Sequence, residues 1–176
     1  MSATDKASTK ITLPSEREIV ITRAFDAPRA LVFDAWTKPA LLKRWWGAPG
    51  WSLPVCEIDL RVGGAWRYVM RNERGIEMTL RGVYREIVRP ERLVNTQLME
   101  GCEGQGESEA VCTMVLAERA GGTKQMHTTM TSTARYPSRE VRDSVLKHGT
   151  TEEGMEAVFS RLARVLTENA AQSSRL

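Results

Sequence analysis

An amphipathic segment near the C-terminus constrains the fold more than any other feature of this 176-residue chain. From Met155 to Leu166 the apolar residues recur every three or four positions, which is the spacing of one face of an α-helix. Before it, from Ser52 to Ala134, the chain reads as consecutive β-strands separated by turn signals such as Gly63-Gly64. Short connections favour antiparallel pairing of sequential strands. We therefore predict a large antiparallel sheet with one face to bury, and this long helix as the element that covers it.

The remaining segments complete the prediction of an α+β fold. Glu18–Phe25 alternates and carries β-branched residues, which predicts a first strand. Pro28 and Pro39 follow as helix-start signals and predict two short helices after this strand. Thr150 and Glu153 form a capping-box pattern in front of the long helix. The strands predicted for the rest of the sheet are Leu53–Leu60, Trp66–Arg71, Ile76–Val88, Arg92–Leu98, Glu109–Glu118 and Lys124–Thr133.

Length and composition indicate one ordinary globular domain. The chain is 41% hydrophobic and 27% charged, and its 25 basic and 22 acidic residues give a net charge of +3. These charges are interspersed, so the sequence contains neither a nucleic-acid-binding arm nor a polybasic membrane anchor. We predict a disordered tail over residues 1–15, a single domain over 16–169 and a C-terminal tail over 170–176.

The cysteines and the N-terminus favour a cytoplasmic location. Cys56, Cys102 and Cys112 are an odd number without CxxC spacing, which argues against a disulfide framework and against a structural zinc site. The polar N-terminus lacks the apolar region of a secretory signal. No segment approaches the ~18–20 apolar residues that a membrane span needs. We expect a cytoplasmic protein with no membrane span.

Four of the five tryptophans lie between Trp45 and Trp66, among glycines and prolines. Each Trp can bury roughly 150–250 Å² and needs a partner for its indole N–H. Such a cluster forms either the wall of a cavity or a set of core anchors around a turn. Because a cavity needs walls, the two interpretations are compatible and both stay open.

Five sequence blocks together resemble a known family. They are ITRAFDAPRALVFDAWT, LLKRWWGAPGW, DLRVGGAWRYVM, RGVYREIVRPERLVNT and YPSREVRDSVLKHGTTEEGMEAVFSRLARVL. From Ile19 to Leu166 the chain is similar to the SRPBCC (START-like, Bet v-like) superfamily. Within it, the chain resembles the branch named after the C-terminal domain of the activator of heat-shock-protein-90 ATPase. The resemblance implies a helix-grip fold, in which a curved antiparallel sheet wraps around the long C-terminal helix. It also implies a pocket between them for an apolar or amphipathic small molecule, without a set of catalytic residues.

The predicted pocket lining is rich in methionine and aromatic residues. Thioether side chains adapt to irregular apolar shapes and suit a pocket, although each can equally fill an ordinary core. A bulge can also shift strand parity by one residue and turn any of these side chains outward. Near His148 the apolar stripe of the long helix turns polar, which marks either a cavity mouth or a helix break. The candidate ligand-binding residues are Trp45, Trp66, Tyr68, Met78, Met114, Met126, Met130, Met155, Phe159 and Leu162.

The sequence offers no catalytic, metal-binding or cofactor motif. His127 and His148 lie on distant segments without metal-ligand spacing, and no nucleophile or phosphate-loop motif occurs. Glu77 and Arg81 alternate with apolar residues, which predicts a solvent-facing side. Turned inward, either could anchor the polar head of a ligand, because a buried charge must be paired.

Three functions remain open from the sequence. We favour binding of a hydrophobic or amphipathic small molecule, with specificity from a few polar groups. A chaperone-related or other protein-interaction module would instead need an exposed apolar patch around Trp46 and Trp51. An enzyme of the cyclase or hydrolase type would need titratable residues converging in the pocket. The eukaryotic co-chaperone carries a large chaperone-binding domain where this chain has only the segment before Glu18, so we expect no chaperone activation. We expect no nucleic-acid partner, and a homodimer stays open.

Overall fold

The computed structural model describes residues 8–100, 108–121, 125–148 and 150–174. Within these ranges eight strands form one antiparallel sheet in the order β1-β2-β8-β7-β6-β5-β4-β3. From β3 to β8 each strand pairs with the next along the chain, as the short connections predict. The strands are β1 (Lys10–Thr12), β2 (Glu18–Phe25), β3 (Trp51–Ile58), β4 (Ala65–Asn72), β5 (Glu77–Val88), β6 (Arg92–Glu100), β7 (Ala110–Ala120) and β8 (Met126–Arg135).

The helices occupy two places in the chain order. Two short ones, α1 (Arg29–Thr37) and α2 (Pro39–Leu42), follow β2, whereas α3 (Arg139–Lys147) and the long α4 (Glu152–Ser173) follow β8. An open antiparallel sheet with a long C-terminal helix is the predicted helix-grip α+β fold, which is confirmed. Each predicted strand is present, with ends shifted by at most two residues.

The two predicted tails are wrong where the structure describes them. Lys10–Thr12 forms β1 and pairs with β2, so residues 8–15 are not a disordered lead-in; residues 1–7 lie outside the described ranges. The prediction followed the polar composition of this segment. An edge strand can form through backbone hydrogen bonds alone, whatever its side chains. At the other end α4 continues to Ser173, beyond the predicted boundary at 169. The helix cap also differs, since the side chain of Thr151 rather than Thr150 accepts from the Gly154 N–H.

The apolar stripe of α4 supplies the centre of the core. Five of its residues are at most 8% exposed: Val158, Phe159, Leu162, Val165 and Leu166. Full burial of such a side chain contributes about 1.5–3 kcal/mol, so the stripe rather than helix propensity holds α4 on the sheet. At the end of the sheet where α1 and α2 lie, Val32, Phe33 and Leu42 are fully buried in the same cluster.

A polar cluster fastens the N-terminal part of α4 to β1 and β2. Arg23 on β2 is only 6% exposed, and its guanidinium forms an ion pair with Glu156 of α4. The same carboxylate accepts from the Thr9 backbone N–H at 2.9 Å and from the Thr9 hydroxyl at 2.7 Å. Partial desolvation raises the pKa of Glu156, but these hydrogen bonds and the Arg23 charge outweigh it and lower the pKa to about 2.

We expect Glu156→Gln to destabilise the protein by about 1–2 kcal/mol at pH 7, because it removes the charge that pairs with buried Arg23. A carboxyl whose pKa is lower in the folded state stabilises it fully above its ordinary value of 4.5. That contribution is lost as the pH falls through about 2. The difference in unfolding free energy between wild type and variant, measured by urea denaturation, should therefore be smaller at pH 3 than at pH 7.

The matched control is Glu153→Gln, one turn earlier on the exposed side of the same helix. It should change the unfolding free energy by less than about 0.5 kcal/mol. An equal loss in the two variants, or a loss in Glu156→Gln that does not depend on pH, would contradict the assigned role of the Arg23–Glu156 pair.

Candidate functional site

A cavity of about 420 Å³ lies between the inner face of the sheet and the N-terminal half of α4. From α4 its lining includes Gly154, Met155, Val158 and Phe159. Beyond Phe159 the space is filled, because α1 and α2 pack there against the helix and the sheet. The cavity is thus the part of the sheet's inner face that the helices leave uncovered.

The tryptophans form one wall of this cavity. The Trp36 and Trp45 rings meet edge to face at 4.8 Å, and the Trp45 and Trp46 rings do so at 5.4 Å. Trp45 is fully buried, and its indole N–H donates to the Ala35 carbonyl at 3.0 Å. Both interpretations of the cluster therefore hold, since Trp45 is a core anchor and a wall at once. All five tryptophans line the cavity: Trp36, Trp45, Trp46, Trp51 and Trp66.

The turn after Trp46 is held in place by α4. Gly47 adopts a φ of +103°, a backbone conformation that favours glycine, and it lines the cavity. The Arg161 guanidinium of α4 donates to the Gly47 carbonyl, and Arg44 forms an ion pair with Glu168 on the same helix. These contacts fix the tryptophan wall to the helix that forms the opposite side of the cavity.

Polar side chains cross the floor of the cavity on adjacent strands. Tyr84 of β5 lies opposite Asn95 of β6, which lies opposite Cys112 of β7. The Tyr84 and Tyr68 hydroxyls are hydrogen-bonded, and the Cys112 thiol contacts the Gln97 side-chain oxygen at 3.8 Å. We call this set the polar belt; its members are Tyr68, Tyr84, Asn95, Gln97, Cys112, Ser132 and Tyr136.

Burial keeps the titratable members of the polar belt in their neutral forms. Desolvation raises the pKa of Tyr84 to about 12 and that of the Cys112 thiol to about 12. The pKa values of Tyr68 and Tyr136 are raised in the same direction by burial. The belt therefore presents uncharged hydrogen-bonding groups at neutral pH.

The structure brings seven of the ten predicted site residues to this cavity. Met126, Met130 and Leu162 do not line it. Met130 and Leu162 are fully buried in the filled part of the core, and Met126 stands at the end of β8. The periodicity of Met130 and Leu162 indicated burial, but not how far the cavity extends through the core. The seven lining residues are Trp45, Trp66, Tyr68, Met78, Met114, Met155 and Phe159.

Sequence reasoning missed most of the polar belt. Asn95 and Gln97 share the inner face of β6 with Leu93 and Met99, so the alternation was present in the sequence. Because a polar residue at an alternating position usually faces solvent, this pattern did not indicate that Asn95 and Gln97 face the cavity. Tyr68 is the one belt member among the predicted site residues. Tyr84, Asn95 and Tyr136 lie in blocks that carried the family resemblance, which indicated the family but not a place in the cavity.

The charged candidates lie on the outer face. Arg71 Nε donates to Glu77 at 2.9 Å, and Arg81 forms an ion pair with Glu100. His127 is also solvent-exposed, with Nδ1 2.6 Å from Asp26 Oδ1. These side chains do not contact the cavity.

His148 and Thr150 belong to the rim of the cavity, where the stripe of α4 turns polar. The interpretation of that polar change as a cavity mouth matches their position. Cys56 and Cys112 are free thiols, and Cys102 lies outside the described residues. Among the side chains that the structure describes, no cluster of His, Cys, Asp or Glu has the arrangement of a metal site.

Comparisons with known proteins agree on the fold. The model of the Activator of Hsp90 ATPase homolog 1-like protein family matches residues 26–167. A protein from Rhodobacter sphaeroides is 27% identical, with a TM-score of 0.79 over 91% of this chain and 99% of that one. A protein from Nitrosomonas europaea is 26% identical, with a TM-score of 0.75 over 90% and 99%. The AHSA1 protein from Silicibacter pomeroyi, 21% identical, has the same fold with a TM-score of 0.67 over 86% and 99%.

No curated protein matches the chain in sequence. In the described ranges, no helix combines the length and the hydropathy that a membrane span requires.

We expect Trp45→Phe to destabilise the protein by about 2–4 kcal/mol, because it leaves a gap in the wall and removes the donor to the buried Ala35 carbonyl. Trp46→Phe should cost less than half as much, since Trp46 is only partly buried. Urea denaturation followed by circular dichroism measures both losses. Equal losses would show that the wall does not depend on Trp45 as its core anchor.

Proposed function

The chain belongs to the Activator of Hsp90 ATPase homolog 1-like protein family, and we propose that it binds one amphipathic small molecule in the cavity between the sheet and α4. Membership confirms the resemblance found in the sequence motifs and supports a ligand-binding or co-chaperone-like fold in general. The cavity itself carries the proposal of a small-molecule ligand.

The size and the lining of the cavity support a ligand. Its volume of about 420 Å³ falls in the range of ~300–1,000 Å³ that is common for small-molecule sites. The apolar wall and the polar belt together suit a molecule with an apolar body and one polar end.

The tryptophan positions favour this function over a protein-interaction module. That alternative needs Trp46 and Trp51 as an exposed apolar patch. Both are instead partly buried, pack against the core and face the cavity. The expectation of no chaperone activation and that of a cytoplasmic location stay predictions from the sequence, and a homodimer stays open.

A cavity-filling variant tests the proposal. Ala134 on β8 lines the cavity and lies opposite Cys112, so Ala134→Trp places a large side chain over the polar belt. Ala117→Trp, on the exposed face of the neighbouring strand, is the matched control. The probe is N-phenyl-1-naphthylamine, an uncharged molecule that becomes fluorescent in apolar surroundings. We expect saturable 1:1 binding to wild type and to Ala117→Trp, and at least tenfold weaker binding to Ala134→Trp.

Circular dichroism should show that both variants are folded. The proposal is contradicted when wild type does not bind the probe, or when folded Ala134→Trp binds it as tightly as wild type does.

A further inference from the structure

We propose that the cavity selects uncharged ligands, whose polar end is a hydroxyl, carbonyl or amide group held by the polar belt, and that it rejects ionised carboxylates and sulfonates. The inference rests on the proposed function, because it specifies the ligand class of the same cavity. Four observations on charge, strand parity, hydrogen bonding and desolvation support it.

Charged side chains are missing from the described lining. Asp, Glu, Lys and Arg make up 27% of the chain, yet none of the lining residues that the structure describes is one of them. The described histidine among them, His148, is exposed at the rim, and its Nδ1 lies 2.7 Å from the Ser144 carbonyl oxygen. An ionised group inside would therefore face no opposite charge from these residues.

Strand alternation accounts for this neutrality on β5, whereas on β2 Arg23 faces inward beside the lining residue Ile21 and is paired with Glu156 of α4. On β5, Met78 and Leu80 face the cavity, while Glu77 before them and Arg81 after them face outward. The outward charges are paired with charges on neighbouring strands, Glu77 with Arg71 of β4 and Arg81 with Glu100 of β6. Turning one inward would require a register shift of a whole strand. The outer face thus holds the charges where a ligand in the cavity cannot reach them.

The side chain of Arg161 lies next to the turn beside the tryptophan wall, but it does not line the cavity. The Arg161 guanidinium donates to the carbonyl of Gly47, a lining residue.

The polar belt matches a neutral partner. Tyrosine and serine hydroxyls and the amides of Asn95 and Gln97 can both donate and accept hydrogen bonds. The Asn95 amide donates one bond to the Thr96 carbonyl at 3.0 Å, which orients its side chain. A hydroxyl, a carbonyl or an amide on the ligand can be satisfied by such groups. Because burial holds the belt tyrosines and Cys112 protonated, the belt also does not supply a charge at neutral pH.

The free-energy cost of desolvation differs between ionised and neutral ligands, and this difference favours the neutral ones. An ionised group that leaves water without a counter-charge is strongly disfavoured, even after the protein relaxes. A neutral polar group loses much less hydration free energy, and hydrogen bonds to the belt recover most of it. The difference predicts at least a tenfold preference for the neutral ligand of a matched pair.

Two probes with one skeleton test the selection. N-phenyl-1-naphthylamine is uncharged, and 8-anilinonaphthalene-1-sulfonate carries the same two ring systems with an added sulfonate. We expect wild type and Ala117→Trp to bind the neutral probe at least tenfold more tightly at pH 7. Ala134→Trp identifies the part of each signal that comes from the cavity.

Displacement by a lipid pair extends the test to aliphatic ligands. At pH 8, 1-decanol should displace the bound neutral probe at concentrations at least tenfold lower than decanoate needs. Equal or better displacement by decanoate overturns the inference while leaving the proposed function intact. Sulfonate binding that is as tight as that of the neutral probe, and is lost in Ala134→Trp, overturns it in the same way. Failure of both fluorescent probes to bind wild type contradicts the proposed function itself.

Discussion

One geometric constraint governs the structure: a single long helix faces an eight-stranded sheet. Neighbouring strands lie ~4.8 Å apart, so eight of them span roughly 35 Å, whereas a helix with its side chains is about 10–12 Å wide. The helix therefore covers only part of the inner face. Helices α1 and α2 fill the space at one end around Phe33 and Leu42. The uncovered remainder becomes the cavity.

The same sheet also keeps the charged side chains of β4, β5 and β6 on the face away from the cavity. Because side chains alternate between the two faces, the ion pairs Arg71–Glu77 and Arg81–Glu100 stabilise the outer face without entering the inner one. Among the described lining residues the polar groups are neutral and are placed in a row by the strand register, whereas Arg23 on the inner face of β2 is paired with Glu156 of α4. Apolar walls around that row lower the local dielectric constant, which strengthens hydrogen bonds and penalises an unpaired charge. The fold and the proposed ligand preference thus have one physical origin.

Local patterns in the sequence predict the fold and the faces of the strands, but not the shape of the cavity. Met114 and Met130 show why: both are inward-facing strand residues, yet Met114 lines the cavity and Met130 is sealed in the core. What separates them is where α1 packs, a contact that periodicity does not encode. The bond of Thr9 to Glu156 joins residues far apart in sequence, and polar composition alone assigned Thr9 to a tail.

Nuclear magnetic resonance of the five tryptophan indole N–H groups tests the central claim most directly, because all five tryptophans line the cavity. On titration with N-phenyl-1-naphthylamine, the account predicts saturable 1:1 shifts of indole signals and of the Asn95 and Cys112 backbone amides. The amides of Ala117 and Arg119, on the outer face, should stay in place. Shifts confined to the outer face, with all five indole signals unchanged, would contradict the account.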